Sequence, residues 1–235
     1  AWDFHRLYNN SELEPVRVQF KDFSEWQNNE KGKEKIIKQA TYWLKVFEGE
    51  IPVLNLLTDF PRPAVKSFIG DSLGFELSAS QVTALKHISV ANGVTLYMTI
   101  LSIYYVLLAK LTNQEDIVIG TPAAGRGHAD LEKIIGVFIN TLALRNRVEG
   151  QQTFKDFLRK VKGQSLEAFE NEAYPFEALV EKVSLERDMS RNPLFDLLFL
   201  FQSAYDPSED PDMQEVAGLT IRSYDYDDMT AKFDL

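Results

Sequence analysis

The 235 residues contain no cysteine. That excludes disulfides, thiolate metal sites and a cysteine nucleophile, and it suits a reducing compartment, so the chain is expected in the cytoplasm. Histidine is scarce: His5, His87 and His128 are the whole supply, and no two stand at ligand spacing, so no metal site is expected. Basic residues are outnumbered, 25 Lys and Arg against 35 Asp and Glu, giving a net charge of −10. A phosphate backbone or an anionic membrane would be repelled, so neither nucleic acid nor membrane is an expected partner. No Gly-x-Gly-x-x-Gly follows a strand pattern, which removes the direct support for a dinucleotide fold. The N-terminus has no basic start followed by an apolar run, so no signal peptide is read there.

Hydrophobic residues are 45% of the chain and charged residues 26%, the balance of a globular protein able to bury one substantial core. Val94 to Leu111 is apolar nearly all round and close to bilayer-spanning length. Thr95, Thr99, Ser102 and Lys110 interrupt it, so it reads as a buried core helix.

Along the chain, Val16–Phe20 alternates like a short strand or extended piece. Ile36, Ile37, Ala40, Trp43, Leu44 and Phe47 recur at helical spacing between about 33 and 48. Pro61 and Pro63 force a surface connection. Ser72 to Leu77 alternates as a strand; Ser78 and Gln81 then form a capping box for a helix that Gly93 ends. Asp116–Gly120 reads as a covered strand, 121–127 as a loop, and Ile134–Val148 as a longer strand with a break near Gly136. Phe154 to Phe169 and Pro175 to Lys182 are helical, and Leu194 to Phe201 is a hydrophobic strand. The stretch 205–228 carries eight acids and one base, Arg222, and is expected to be mobile or to lie across another surface. Alternating strands and helices predict an α/β sandwich with a mixed sheet. The end at Lys232-Phe233-Asp234-Leu235 falls mid-strand, so the sequence is expected to be a piece of a longer chain.

Few groups invite chemistry. His87 lies mid-helix and reads as solvated or half-buried; His128 sits in a loop that could carry function. Gly120 to Gly127 lacks the Gly-Lys-Ser/Thr ending of a phosphate cradle and reads as a strand-exit loop. Asn140 and Thr141 stand in an apolar strand. A buried amide left unmatched costs about 1–3 kcal/mol, so Asn140 must either bond nearby backbone or face a cavity. Arg187 to Asp196 is either a loop in which Asp188 and Asp196 neutralise Arg187 and Arg191, or an anion or carrier contact.

Taken in order, these pieces resemble the later core motifs of the condensation domains of non-ribosomal peptide synthetases. Phe20-Lys21-Asp22-Phe23-Ser24-Glu25-Trp26 is similar to the fourth motif, through Asp22 and Trp26. Ile119 to Pro122, with Gly125-Arg126, resembles the strand and loop that precede the fifth, and Ile135-Gly136-Val137-Phe138-Ile139-Asn140-Thr141 matches the fifth itself. Tyr174-Pro175-Phe176-Glu177 matches the sixth, although Asn171-Glu172-Ala173 stands where His-Gln usually opens it. Arg187, Asp188, Arg191, Asn192, Pro193 and Asp196 follow the seventh. The family's His-His-x-x-x-Asp-Gly motif does not occur in these residues, and it belongs upstream of residue 1.

The resemblance implies one lobe of a two-lobed, chloramphenicol acetyltransferase-like fold, a two-layer sandwich of helices on a mixed sheet. Residues 1–30 would end the first lobe and link it to a C-terminal lobe over 31–235, whose segment 205–230 would cross to the other lobe and be displaced or disordered without it. It further implies peptide-bond formation between thioesters held on the phosphopantetheine arms of peptidyl carrier proteins. The partners would be those carriers and the missing N-terminal lobe, with no cofactor bound directly. Asn140, Thr141, Gly120, Arg126 and Arg62 would border the substrate and pantetheine tunnel. No catalytic residue is expected in this chain, which is expected to be inactive alone. An epimerisation domain of the same fold, or a non-catalytic carrier-docking module, are the alternatives.

Overall fold

The computed structural model describes residues 6–8, 12–13, 15–183, 188–202 and 229–235. The named elements begin with two helices, α1 (Phe20–Asn28) and α2 (Glu30–Val46). They are followed by α3 (Ala79–Asn92), α4 (Leu96–Thr112), β1 (Asp116–Ala123), β2 (Asn140–Arg147), α5 (Phe154–Glu170) and α6 (Phe176–Val183).

The helix boundaries follow from their caps. The Ser78 hydroxyl accepts from the Gln81 amide and the Gln81 side-chain oxygen accepts from the Ser78 amide, while Gly93 leaves α3 in the left-handed region at φ 61°. Thr95 caps α4 by accepting from the Met98 amide, and Thr153 caps α5 by accepting from the Asp156 amide. The apolar stretch expected from sequence is α4, and it is buried through Leu101, Tyr105 and Leu108. Among the described residues no single helix is long and apolar enough to cross a membrane.

β1 and β2 pair antiparallel from Asp116–Arg147 to Ala123–Asn140. Ile117, Val118 and Ile119 on one strand and Leu142, Ala143 and Leu144 on the other are buried under α4, α5 and α6. Tyr105 donates its hydroxyl to the Leu144 carbonyl at 2.7 Å, which pins α4 to β2. The sheet is thus two-stranded and antiparallel among the described residues, and Leu198 adds only an isolated parallel bridge to Gly120.

Five expectations need correction. Residues 134–139 form a loop, and β2 starts only at Asn140. The guanidinium of Arg126 donates to the carbonyls of Leu131 and Ile134, so the Ile134 carbonyl is used outside a ladder. β1 correspondingly runs on to Ala123, three residues into the expected loop. Val16–Gln19 makes no strand, because the Gln19 amide is donated to the Asp22 carboxylate and Phe20 opens α1. Residues 72–77 are extended without a ladder among the described residues; pairing occurs just before them, where Ile69 bridges Thr230. Alternation chooses the face of a strand but supplies no edge to pair with. Residues 194–201 likewise contribute one bridge instead of a full strand, although Phe195 and Leu197 are buried as expected. Residues 205–228 and Arg187 lie outside the described residues.

Candidate functional site

An open cleft of about 900 Å³ lies between α1, α2, the loop 125–139 and the turn joining α5 to α6. That is within the usual size of small-molecule sites. Asp22, Phe23 and Trp26 of α1 line one side, Lys35, Ile36 and Gln39 of α2 another. Val137 to Asn140 enters from the loop, and Glu172, Ala173, Pro175 and Glu177 from the turn.

Glycine makes the loop possible. A Cβ on Gly136 would overlap the Phe20 ring, so the bare backbone lets α1 lie on the loop. Phe20 and Phe23 then meet Phe138 at ring-centroid distances of 5.1 and 4.8 Å. Gly125, at φ 65°, turns the chain against the Phe138 carbonyl, and the Arg126 guanidinium stacks 4.2 Å above the Phe138 ring.

Asn140 closes the cleft at its base. Its amide nitrogen donates to the carbonyls of Glu172 and Tyr174, both at 2.7 Å. Its oxygen accepts from the amides of Thr141 at 2.9 Å and Phe176 at 3.3 Å. The two alternatives left open by the sequence therefore coexist: Asn140 bonds backbone and also lines the cavity. α2 is sewn to the same turn, since Gln39 donates to the Glu170 carbonyl and Trp43 to the Asn171 carbonyl. Glu172 is half-buried, and burial pushes its carboxyl above the usual range, with Lys35 opposing that shift.

His128 stands on the rim with a side chain 72% exposed, accepting from the Asp130 amide at the start of a short 3-10 turn. His87 is exposed on α3, and His5 lies outside the described residues. No three acidic or histidine side chains converge tightly enough for a metal ion among the described residues.

The remaining candidates gather elsewhere. Arg62 pairs with Asp234 and donates to the Ser190 carbonyl, and it is not among the residues lining the cleft. Gly120 is also away from it: its bare α-carbon makes room for the Phe195 ring. The seventh-motif residues build a second depression, lined by Lys66, Asp188, Arg191, Asn192, Pro193 and Asp196. There Arg191 reaches Asp196 at 2.5 Å and the Leu54 carbonyl at 3.1 Å, and the Asp196 carbonyl accepts from Asp234. Asp188 serves Ser190 through both amide and hydroxyl, and those bonds hold its carboxyl below the ordinary range. The Asp196–Arg191 neutralisation expected from sequence is present; Asp188 has the local partner Ser190. Gln39 and Glu172 were not singled out by the sequence, since a lone Gln in a helix and a Glu in a turn carry no pattern.

Comparison with known proteins identifies this arrangement. The condensation-domain family profile matches residues 1–235, and the chain belongs to that family. Within it, the likeness is to the condensation domains of non-ribosomal peptide synthetases. Tyrocidine synthase 3 of Brevibacillus parabrevis is 48% identical over 233 residues, 99% of this chain and 4% of that protein. The holo form of a four-domain nonribosomal peptide synthetase, solved with AMP and glycine, superposes with a TM-score of 0.75. It is 29% identical and is matched over 88% of this chain and 16% of its own. The condensation domain of the monacolin K polyketide synthase MokA, 23% identical, shares the fold with a TM-score of 0.72 over 83% of this chain and 47% of its own. The chain therefore spans a small part of its curated relatives and about half of a solved condensation domain. The expected chloramphenicol acetyltransferase-like α/β lobe is the fold observed.

Proposed function

We propose that this chain supplies wall and floor of a condensation tunnel. In that tunnel a carrier-bound aminoacyl or peptidyl thioester meets a carrier-bound amino acid. The observation that carries this reading is convergence: the fourth-, fifth- and sixth-motif residues Asp22, Trp26, Val137 to Asn140 and Pro175, distant in sequence, line one cleft. The acceptor amine attacks the thioester carbonyl, a C–N bond forms, the C–S bond breaks, and the pantetheine thiol leaves with the proton the amine gives up. Holding the two reactants together is worth about 7–11 kcal/mol of the barrier. The proton-handling imidazole comes from a His-His-x-x-x-Asp-Gly segment of the longer polypeptide. Residues 1–30 serve as the link to that first lobe, and 205–230 cross to it.

The test is a condensation assay with two loaded carrier proteins. The longer polypeptide containing this chain forms the amide product, and the 235 residues alone form none. Turnover by the 235 residues alone refutes the assignment of the imidazole to another segment. Absence of product from the longer polypeptide refutes the condensation reading. Inverted stereochemistry at the donor residue, without amide formation, would mark an epimerase.

A further inference from the structure

Arg126 is not among the residues that line the cleft, although its neighbours Gly125 and Gly127 both are. Its Nη1 donates to the carbonyls of Leu131 and Ile134, the second at 2.9 Å, and reaches that of Glu132 at 3.4 Å. The guanidinium carbon lies 4.2 Å from the centroid of the Phe138 ring. No ion pair among the described residues engages it. A group that stays charged at every working pH is thus spent on loop carbonyls and one aromatic face.

Phe138 is the point on which this grip acts. It is 7% exposed, between the guanidinium and the rings of Phe20 and Phe23. Its neighbours alternate with it: Val137 is 82% exposed and Ile139 69%, and both line the cleft. Successive side chains of an extended backbone leave opposite faces, so a ring fixed inward keeps the two aliphatic groups outward. Gly125 closes the other end, since a Cβ there would overlap the Phe138 carbonyl.

We propose that Arg126 is a positioning residue of the condensation cleft. It acts through Phe138, keeping Val137 and Ile139 turned into the path of the thioester-linked groups. This goes beyond the condensation reading and rests on it. The resemblance puts Arg126 beside the pantetheine tunnel, so direct contact with the pantetheine phosphate is the competing role. The two roles ask for different chemistry. A phosphate needs a positive charge, which a lysine supplies, whereas spanning several carbonyls while lying on a ring needs the planar guanidinium.

The experiment uses the longer polypeptide with a loaded carrier as donor. Glycine is the acceptor, presented as its thioester with phosphopantetheine or with pantetheine, which differ by the phosphate alone. In Arg126→Lys and Arg126→Met, kcat/KM per folded molecule is expected to fall by the same factor for both thioesters. The factor is about tenfold to a hundredfold, because a misplacement of about 1 Å costs on the order of a hundredfold. Amide exchange over 131–139 is expected to quicken in both variants while β1 and β2 keep their protection. Adding Phe138→Leu to Arg126→Met is expected to cost little more, since both act on one contact. Thermal melts give the folded fraction, and Arg126→Lys decides alone where Arg126→Met does not fold. A loss confined to the phosphate-bearing thioester, or parent activity in Arg126→Lys, overturns the proposal and gives the guanidinium to the phosphate. Unchanged kcat/KM per folded molecule in both variants leaves Arg126 a structural role only and also overturns it. Multiplying losses in the double variant overturn the route through Phe138. No product from the parent protein removes the condensation reading itself, and the exchange rates still decide whether Arg126 holds the loop.

Discussion

Asn140 uses its amide completely, two donors and two acceptor bonds, to join the first residue of β2 to the α5–α6 turn. Replacing it by Ala strands two carbonyls and two amides at the cleft base. Asn140→Ala is expected to cost about 2–3 kcal/mol in urea unfolding, while Asn140→Asp loses the two donated bonds and adds charge next to Glu172. Glu172 itself has a testable pH signature. Its folded carboxyl titrates above the unfolded one, so the folded state binds the proton more tightly. Stability then falls as pH rises through that interval and stays low above it. Glu172→Gln is expected to raise the urea midpoint at pH 7, with the gain disappearing as pH drops below the ordinary glutamate range near 4.3. Sequence showed that Asn140 had to be matched; it could not show with what, because Glu172, Tyr174 and Phe176 lie more than thirty residues away.

At the scale of elements, the caps were legible because capping is local: Ser78, Gln81 and Gly93 carry their own geometry. The 134–139 loop was not, since its apolar alternation imitates a strand, and the bond that uses the Ile134 carbonyl outside a ladder comes from Arg126, eight residues upstream. The Gly136–Phe20 contact tests how firmly α1 is held. Gly136→Val is expected to expel the Phe20 ring and free α1, read as faster amide exchange in 20–28 with β1 and β2 unchanged. Adding Phe20→Ala should restore part of the lost stability, giving a non-zero coupling in a double-mutant cycle.

At the scale of the molecule, two clefts divide the motifs between them: one holds Asp22, Trp26, Asn140 and Pro175, the other the seventh-motif residues Asp188, Arg191, Asn192, Pro193 and Asp196. The second is a structural knot. Arg191 and Asp196 have side chains 19% and 6% exposed, and Asn192 also donates to the Lys232 carbonyl. Arg191→Met is expected to destabilise the fold by about 3 kcal/mol in a chemical melt, because Asp196 remains buried and unpaired. Arg191→Met with Asp196→Leu should recover much of that loss. The resemblance of ordered motifs made the family readable, but it did not place Arg62 or Gly120, neither of which lines the first cleft. Their partners, Asp234 and Phe195, settle where they sit.

The seating of Phe20 against Gly136 makes α1 and the 135–139 loop one mechanical part. Rotating the leading helix has to drag Val137 and Phe138 with it, so the gape of the groove and the tilt of whatever is attached ahead of α1 change together. A chain that arrives at a different angle delivers a different aperture, much as a lever set at its short end opens a jaw.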